Sequence, residues 1–190
     1  MVASPALKRA LWIAVSTVCV GIVLALAAHG RRPESGLVRF EAAGVMLHIA
    51  PDQVVSVTLM ARERRWRFSR GERGGWRVDD SPGATLTVGA PAPAAISAAI
   101  DTGVRFLHVS APARRLSPAE ISDAASEDFG LSPPRYTVEV RAADGRSFSI
   151  DFGVPNAQGL AQYTHVAGTP EVALLPRFVG EAWESATAAR

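Results

Sequence analysis

The stretch Tyr136-Thr137-Val138-Glu139-Val140-Arg141-Ala142-Ala143-Asp144-Gly145-Arg146-Ser147-Phe148-Ser149-Ile150-Asp151-Phe152 reads as two strands and a tight turn. Tyr136, Val138 and Val140 alternate with Thr137, Glu139 and Arg141; Phe148, Ile150 and Phe152 alternate with Ser147, Ser149 and Asp151. Such period-two alternation belongs to strands with one face buried and one face wet. The turn is settled by register. A two-residue loop at Asp144-Gly145 would set Val140 against Ser149 and Val138 against Asp151, apolar against polar. A three-residue loop with Gly145 in the left-handed region sets Val140 against Phe148, Val138 against Ile150 and Tyr136 against Phe152. A slip of one residue would turn every side chain to the wrong face, so the three-residue loop is predicted.

Working outward, the same alternation predicts strands at Ala161–Ala167 and Glu171–Leu175, joined through Gly168-Thr169-Pro170. Upstream, Val54–Met60 sets Val55, Val57 and Leu59 against Ser56 and Thr58. Arg65–Ser69 sets Trp66 and Phe68 against Arg65 and Arg67, Gly71–Gly75 turns, and Trp76-Arg77-Val78 begins a third strand. The result is an antiparallel meander with one greasy face and one arginine face. Short strands are also expected within Leu37–Ile49, where Val45, Leu47 and Ile49 alternate, and at His108–Ala111, with a small extended piece at Leu86 and Val88.

Three helices are readable. From about Pro93 to Leu107, residues Ile96, Ile100, Gly103, Val104 and Leu107 form one buried stripe. Ser117-Pro118-Ala119-Glu120 is a capping box with proline at the first helical position, opening a helix that ends at Phe129-Gly130-Leu131. Pro176 opens a terminal helix in which Phe178, Val179, Ala182 and Trp183 share a face. The expected class is α+β, an antiparallel sheet of meander and hairpins packed against two or three helices.

The other end of the chain is different. Leu11–Ala28 is an apolar run between Lys8-Arg9 and Arg31-Arg32. As a helix it would span about 27 Å, enough for a hydrocarbon core. Two readings are open: a signal anchor, favoured by the length of the run, and a signal peptide cleaved after Ala25-Leu26-Ala27. Either exports the rest. The expected layout is a cytoplasmic tail (1–10), a transmembrane signal anchor or signal peptide (11–28), a linker (29–36) and a periplasmic α+β domain (37–190). The single cysteine, Cys19, lies in the run, so the exported part can form no disulfide. The net charge of +2 hides an asymmetry. Met1–Val78 holds 12 basic and 5 acidic residues, and Asp79–Arg190 holds 8 and 13. A basic half faces an acidic half, which bears on partners and not on fold.

Chemistry is sparse. Asp151-Phe152-Gly153 matches a kinase metal-binding triplet, yet the other kinase motifs are missing, so it reads as a strand end and a turn glycine. Gly71–Gly75 lacks the Lys-Ser/Thr of a phosphate loop. His29, His48, His108 and His165 stand at no metal-ligand spacing, and His165 is expected as a half-buried structural histidine. The pairs Asp79-Asp80 and Glu127-Asp128 read as solvated loop and helix-end charges. No catalytic residue, metal or cofactor is expected. One charge cluster stands out: Arg62, Arg64, Arg65, Arg67, Arg70, Arg73 and Arg77. Its plain role is a soluble, aggregation-resistant face. Its functional role would be contact with anionic lipid or an acidic partner. Nucleic acid, which suits arginines interleaved with tryptophan, is excluded by export. Trp66, Trp76 and Tyr163 are candidate stacking surfaces.

Phe129-Gly130-Leu131-Ser132-Pro133-Pro134, a strand, Asp144-Gly145, a strand ending at Phe152-Gly153, and Tyr163 leading to Val172-Ala173-Leu174-Leu175 together resemble the domain of unknown function 4340 family. The Val57–Val78 meander with its Gly75-Trp76, and the helix after it, extend the likeness over Val54–Trp183. The resemblance implies a membrane-anchored protein found beside gliding-motility-type ABC transporter components. It carries over no catalytic residue, and this chain is shorter than many members. The expected function is a non-catalytic accessory or assembly component of a bacterial membrane complex, tied to transport. The alternative is a periplasmic ligand-binding module for an envelope polysaccharide or small molecule.

Overall fold

The computed structural model describes residues 17–18, 20–21, 43–71, 74–83, 86–123 and 129–187. The chain divides into two compact units, Met1–Phe40 and Glu41–Arg190. In the first, Thr17, Val18, Val20 and Gly21 are helical and exposed. The rest of Leu11–Ala28 lies outside the described residues, and no helix among those described is long and apolar enough to cross a membrane.

The second unit is α+β. Among the described residues it holds eight strands and three helices. The strands are β1 (Val54–Ala61), β2 (Arg64–Arg70), β3 (Trp76–Asp80), β4 (Arg114–Leu116), β5 (Tyr136–Ala142), β6 (Ser147–Pro155), β7 (Ala161–Val166) and β8 (Val172–Pro176). The helices are α1 (Ala94–Val109), α2 (Pro118–Asp123) and α3 (Arg177–Thr187). One antiparallel sheet runs in the order β3-β2-β1-β5-β6-β7-β8-β4. It consists of two meanders welded at β1–β5, with the connection through α1 carrying the chain from one edge of the sheet to β4 at the other.

The β5–β6 hairpin has the predicted register: Val140 faces Phe148, Val138 faces Ile150 and Tyr136 faces Phe152. Gly145 has φ +89°, a conformation open to glycine and costly for other residues. Arg146 then pins the turn, bonding to Asp144 at 2.7 Å, to Gln53 at 2.9 Å and to the carbonyl of His48.

The core lies between one sheet face and the helices. Val57, Leu59, Phe68, Val138, Ile150 and Phe152 are fully buried from the sheet side. From the helix side α1 buries the five predicted residues, Ile96, Ile100, Gly103, Val104 and Leu107. Gly103 is where the indole of Trp183 lies on α1: a Cβ there would come within 2.5 Å of the ring. The missing side chain thus admits the largest buried residue of α3.

Several sequence expectations are corrected. The described part of Leu37–Ile49 forms no strand. The amides of Gly44 and Met46 bond instead to the carbonyls of His108 and Leu107, satisfying the open C-terminal end of α1. Accordingly Met46 and Ile49 are buried while Leu47 is half exposed. His108–Ala111 is not a strand, since α1 runs on through Val109; the strand falls at Arg114–Leu116, pairing with β8. Leu86 and Val88 lie outside any strand. In β1 a bulge between Val54 and Ser56 buries Val54 in place of Val55. In α3 the buried side chains are Val179, Trp183 and Ala186, whereas Phe178 sits beside them, edge-on to Phe106 at 4.9 Å. The capping box of α2 is present: the Ser117 amide donates to Glu120 at 2.8 Å and the Glu120 amide to Ser117 Oγ at 3.4 Å. Gly130 is left-handed as expected, but the stretch linking it to α2 lies outside the described residues.

Asp151-Phe152-Gly153 is also revised. The strand continues to Pro155, and Gly153 is no turn residue. A Cβ there would collide with the backbone carbonyl of Phe129, which accepts a hydrogen bond from the Val154 amide at 2.9 Å. The glycine allows two backbones to touch.

Candidate functional site

Because the helices take one face of the sheet, alternation sends the polar residues to the other. Pairing aligns them in rows across the strands. One row reads Arg77, Ser69, Ser56, Arg141, Ser147. The next reads Arg67, Thr58, Glu139, Ser149. A third reads Arg65, Met60, Thr137, Asp151, His165, Val172. At the far end of the face Tyr163 and Leu174 share a row, and Phe129 covers Tyr163 with ring centroids 4.8 Å apart.

Several polar groups of this face bond to one another. Thr137 donates to Asp151 at 2.6 Å, and Asp151 lies 3.9 Å from His165, whose other ring nitrogen meets the carbonyl of Thr169 at 2.8 Å. Ser69 donates to Asp79 at 2.7 Å. His165 is thus tied at Nε2 to its own turn, with the Asp151 carboxylate near its other ring nitrogen.

The centre is different. A hollow of about 450 Å³ opens over β2, β1, β5 and β6. Its polar lining is four hydroxyls (Ser56, Thr58, Ser147 and Ser149), two guanidiniums (Arg67 and Arg141) and the carboxylate of Glu139. None of these side chains makes a hydrogen bond or ion pair to another described residue. In a folded protein such groups turn to water or to a ligand.

The arginine cluster does not form one face. Arg65, Arg67 and Arg77 lie on the open face. Arg62 sits in the β1–β2 turn at φ +56°, exposed. Arg64 and Arg70 fall on the helix side, because even positions of β2 point there with Trp66 and Phe68. Arg64 reaches out over the Trp66 ring at 5.9 Å. Arg70 pairs with Asp101 of α1 at 3.0 Å and stacks on Trp76 at 4.3 Å. Arg73 lies outside the described residues. The stacking candidates are corrected too. Trp66 is 7 % exposed and Trp76 is 2 % exposed, so both rings belong to the core, and Trp76 spends its N–H on Asp101 at 3.0 Å. Tyr163 is half-buried on the opposite face, so the three share no surface.

The hollow contains residues that sequence reading passed over: Glu139, Arg141, Ser56, Thr58 and Ser149. Alternation placed each on a wet face. Their convergence depends on β1 pairing with β5, strands separated along the chain by β2, β3, α1, β4 and α2.

A second polar cluster lies under α3. Gln162 is fully buried, donating to the carbonyl of Gly153 at 2.8 Å and accepting from Arg177 at 2.9 Å. Arg177 also meets Glu184 at 2.6 Å, a hydrogen bond that holds its guanidinium above the usual range. The Tyr136 hydroxyl donates to the carbonyl of Gly180 at 3.1 Å. Burial, reinforced by the charge of Glu184, pushes the pKa of that phenol far above its ordinary value. This cluster fastens α3 to the sheet. Among the described residues no group of three or more His, Cys, Asp or Glu is placed to hold a metal ion. Compared with protein-family models, curated proteins and solved structures, the chain matches none.

Proposed function

We propose that this chain is a non-catalytic accessory or assembly component of a bacterial membrane complex. In this reading Leu11–Ala28 anchors it, the N-terminus stays in the cytoplasm and the sheet domain lies in the periplasm. The observation that carries the reading is the open face of the sheet. Arg65, Arg67, Arg77 and Arg141 stand on it with no carboxylate partner among the described residues, while the helices occupy the other side. An unneutralised basic face favours an acidic surface and steers it in from a distance. The occupant is an acidic membrane-protein partner. The likeness to the domain of unknown function 4340 family supports a transport system as the setting.

The test is crosslinking in membranes, with a photoreactive residue at position 69 and mass spectrometry of the products. A transmembrane protein crosslinked by the parent chain and lost in Arg65→Glu/Arg77→Glu supports the reading. The same crosslinks in both, or crosslinks to lipid alone, overturn it.

A second reading, a periplasmic ligand-binding module, is favoured by the hollow, whose polar lining is unspent.

A further inference from the structure

We infer that the hollow on the open face binds a polyol phosphate, a small hydroxylated anion held between Arg67 and Arg141. This rests on the ligand-binding reading and not on the docking of a protein partner.

On the same face Thr137 bonds to Asp151, Ser69 to Asp79, and His165 to the carbonyl of Thr169. Two residues along the same strands, every polar side chain lining the hollow is left without a partner among the described residues. Thr58 among them is only 6 % exposed, so its hydroxyl looks into the hollow and little else. Arg65 and Arg77 are also without a partner on this face, but in the hollow seven unpartnered polar side chains, carrying both signs of charge, converge on one space.

The lining also states the chemistry. Arg67 stands opposite Thr58, and Arg141 opposite Ser56, so the two arginines lie diagonally across β1. Standard strand spacings put their Cα atoms roughly 12 Å apart, close enough for two long side chains to meet on one group between them. A phosphate monoester offers three free oxygens, enough for a fork from each guanidinium and a hydroxyl besides. Ser56, Thr58, Ser147 and Ser149 both donate and accept, which suits the hydroxyls of a polyol. Glu139 is acceptor-only when ionised, and it stands next to Thr58 and Ser149 in its row. It would take a polyol hydroxyl while repelling a second phosphate. The lining sums to one positive charge, matched to a single anionic group. Val140 and Phe148 complete the lining and offer the carbon skeleton of the polyol an apolar contact.

Such a group reaches the site either free or as a glycerol phosphate lipid headgroup. The experiment uses the full chain in phosphatidylcholine nanodiscs, with labelled glycerol 1-phosphate in equilibrium dialysis. Saturable binding at millimolar concentration is expected, weakened about tenfold or more in Arg67→Ala/Arg141→Ala by loss of two charge-assisted contacts. Arg65→Ala, on the same face but outside the hollow, should bind as the parent does, and circular dichroism of all variants checks folding. Neutral glycerol should not compete. Discs containing phosphatidylglycerol separate the sources: weakened binding of the soluble probe points to headgroups, unchanged binding to the free compound, and both support the site. No saturable binding in phosphatidylcholine discs overturns it. So does binding that a folded Arg67→Ala/Arg141→Ala retains, or that glycerol abolishes. The crosslinking test uses Arg65 and Arg77, so either proposal can fail without the other.

Discussion

Val138 and Glu139 are neighbours on β5 and belong to two different worlds. Val138 is fully buried against the helices, and Glu139 stands exposed on a face that no described helix covers. On the covered face Gln162 and Thr164 have their bonds made, the Thr164 hydroxyl donating to Ala173 at 2.9 Å, and the Trp183 indole N–H is a buried exception without a partner. On the open face polar side chains stand unbonded at the centre of the sheet. The difference teaches where selection for folding ends. Burial punishes an unmade hydrogen bond by about 1–3 kcal/mol, whereas water forgives it, so unspent polar groups collect where a ligand or partner can use them.

The largest test of this contrast is on the covered side. Trp183→Ala removes the indole that lies on Gly103 and should cost about 3–5 kcal/mol in chemical denaturation. A loss below 1 kcal/mol would mean that helix packing does not carry the covered face. Gly153→Ala drives a methyl group into the Phe129 carbonyl, backbone against backbone, and should cost about 1–3 kcal/mol. Restored stability in Gly153→Ala on shortening any side chain nearby would refute that account, since the clash is with main chain.

Two tests follow from ionisation. Tyr136 keeps its proton in the fold because burial raises its pKa above the ordinary 10.0. The stability this gives is full below pH 10 and lost as the pH climbs above it, where the unfolded chain ionises and the fold does not. Tyr136→Phe should flatten that alkaline limb in a series of thermal melts at rising pH. Glu120 moves the opposite way. The Ser117 backbone hydrogen bond, then Arg114, lower its pKa from 4.5 to about 2. Its contribution is present above pH 4.5 and disappears as the pH falls towards 2. Glu120→Gln should remove that small acid dependence of α2, and an unchanged acid limb would count against the capping box in solution.

The smallest effect is expected from the open side. Ser149→Ala and Arg141→Ala should each change stability by no more than about 0.5 kcal/mol, because neither side chain bonds to the fold. A larger loss would place the hollow in the folding machinery and blur the line between the faces.

Local pattern determined much of this protein by itself. The β5–β6 register, the β2 alternation, the α1 stripe and the α2 capping box were legible because each depends on residues close in the chain. Local pattern also misled where a long-range partner intervened. Gly44 and Met46 give their amides to the end of α1, which no alternation could announce. Trp66 and Trp76 looked like free aromatic surfaces until the helices covered their side of the sheet, whereas the alternation of β2 alone already puts Arg64 and Arg70 on that side. The site was the least legible part. Its residues were already assigned to wet faces, but only the pairing of β1 with β5 sets Arg67, Thr58, Glu139 and Ser149 in one row. Alternation says which way a side chain points, because that is a property of one strand. Which side chains it meets is a property of strand order, and strand order is decided by burying the covered face.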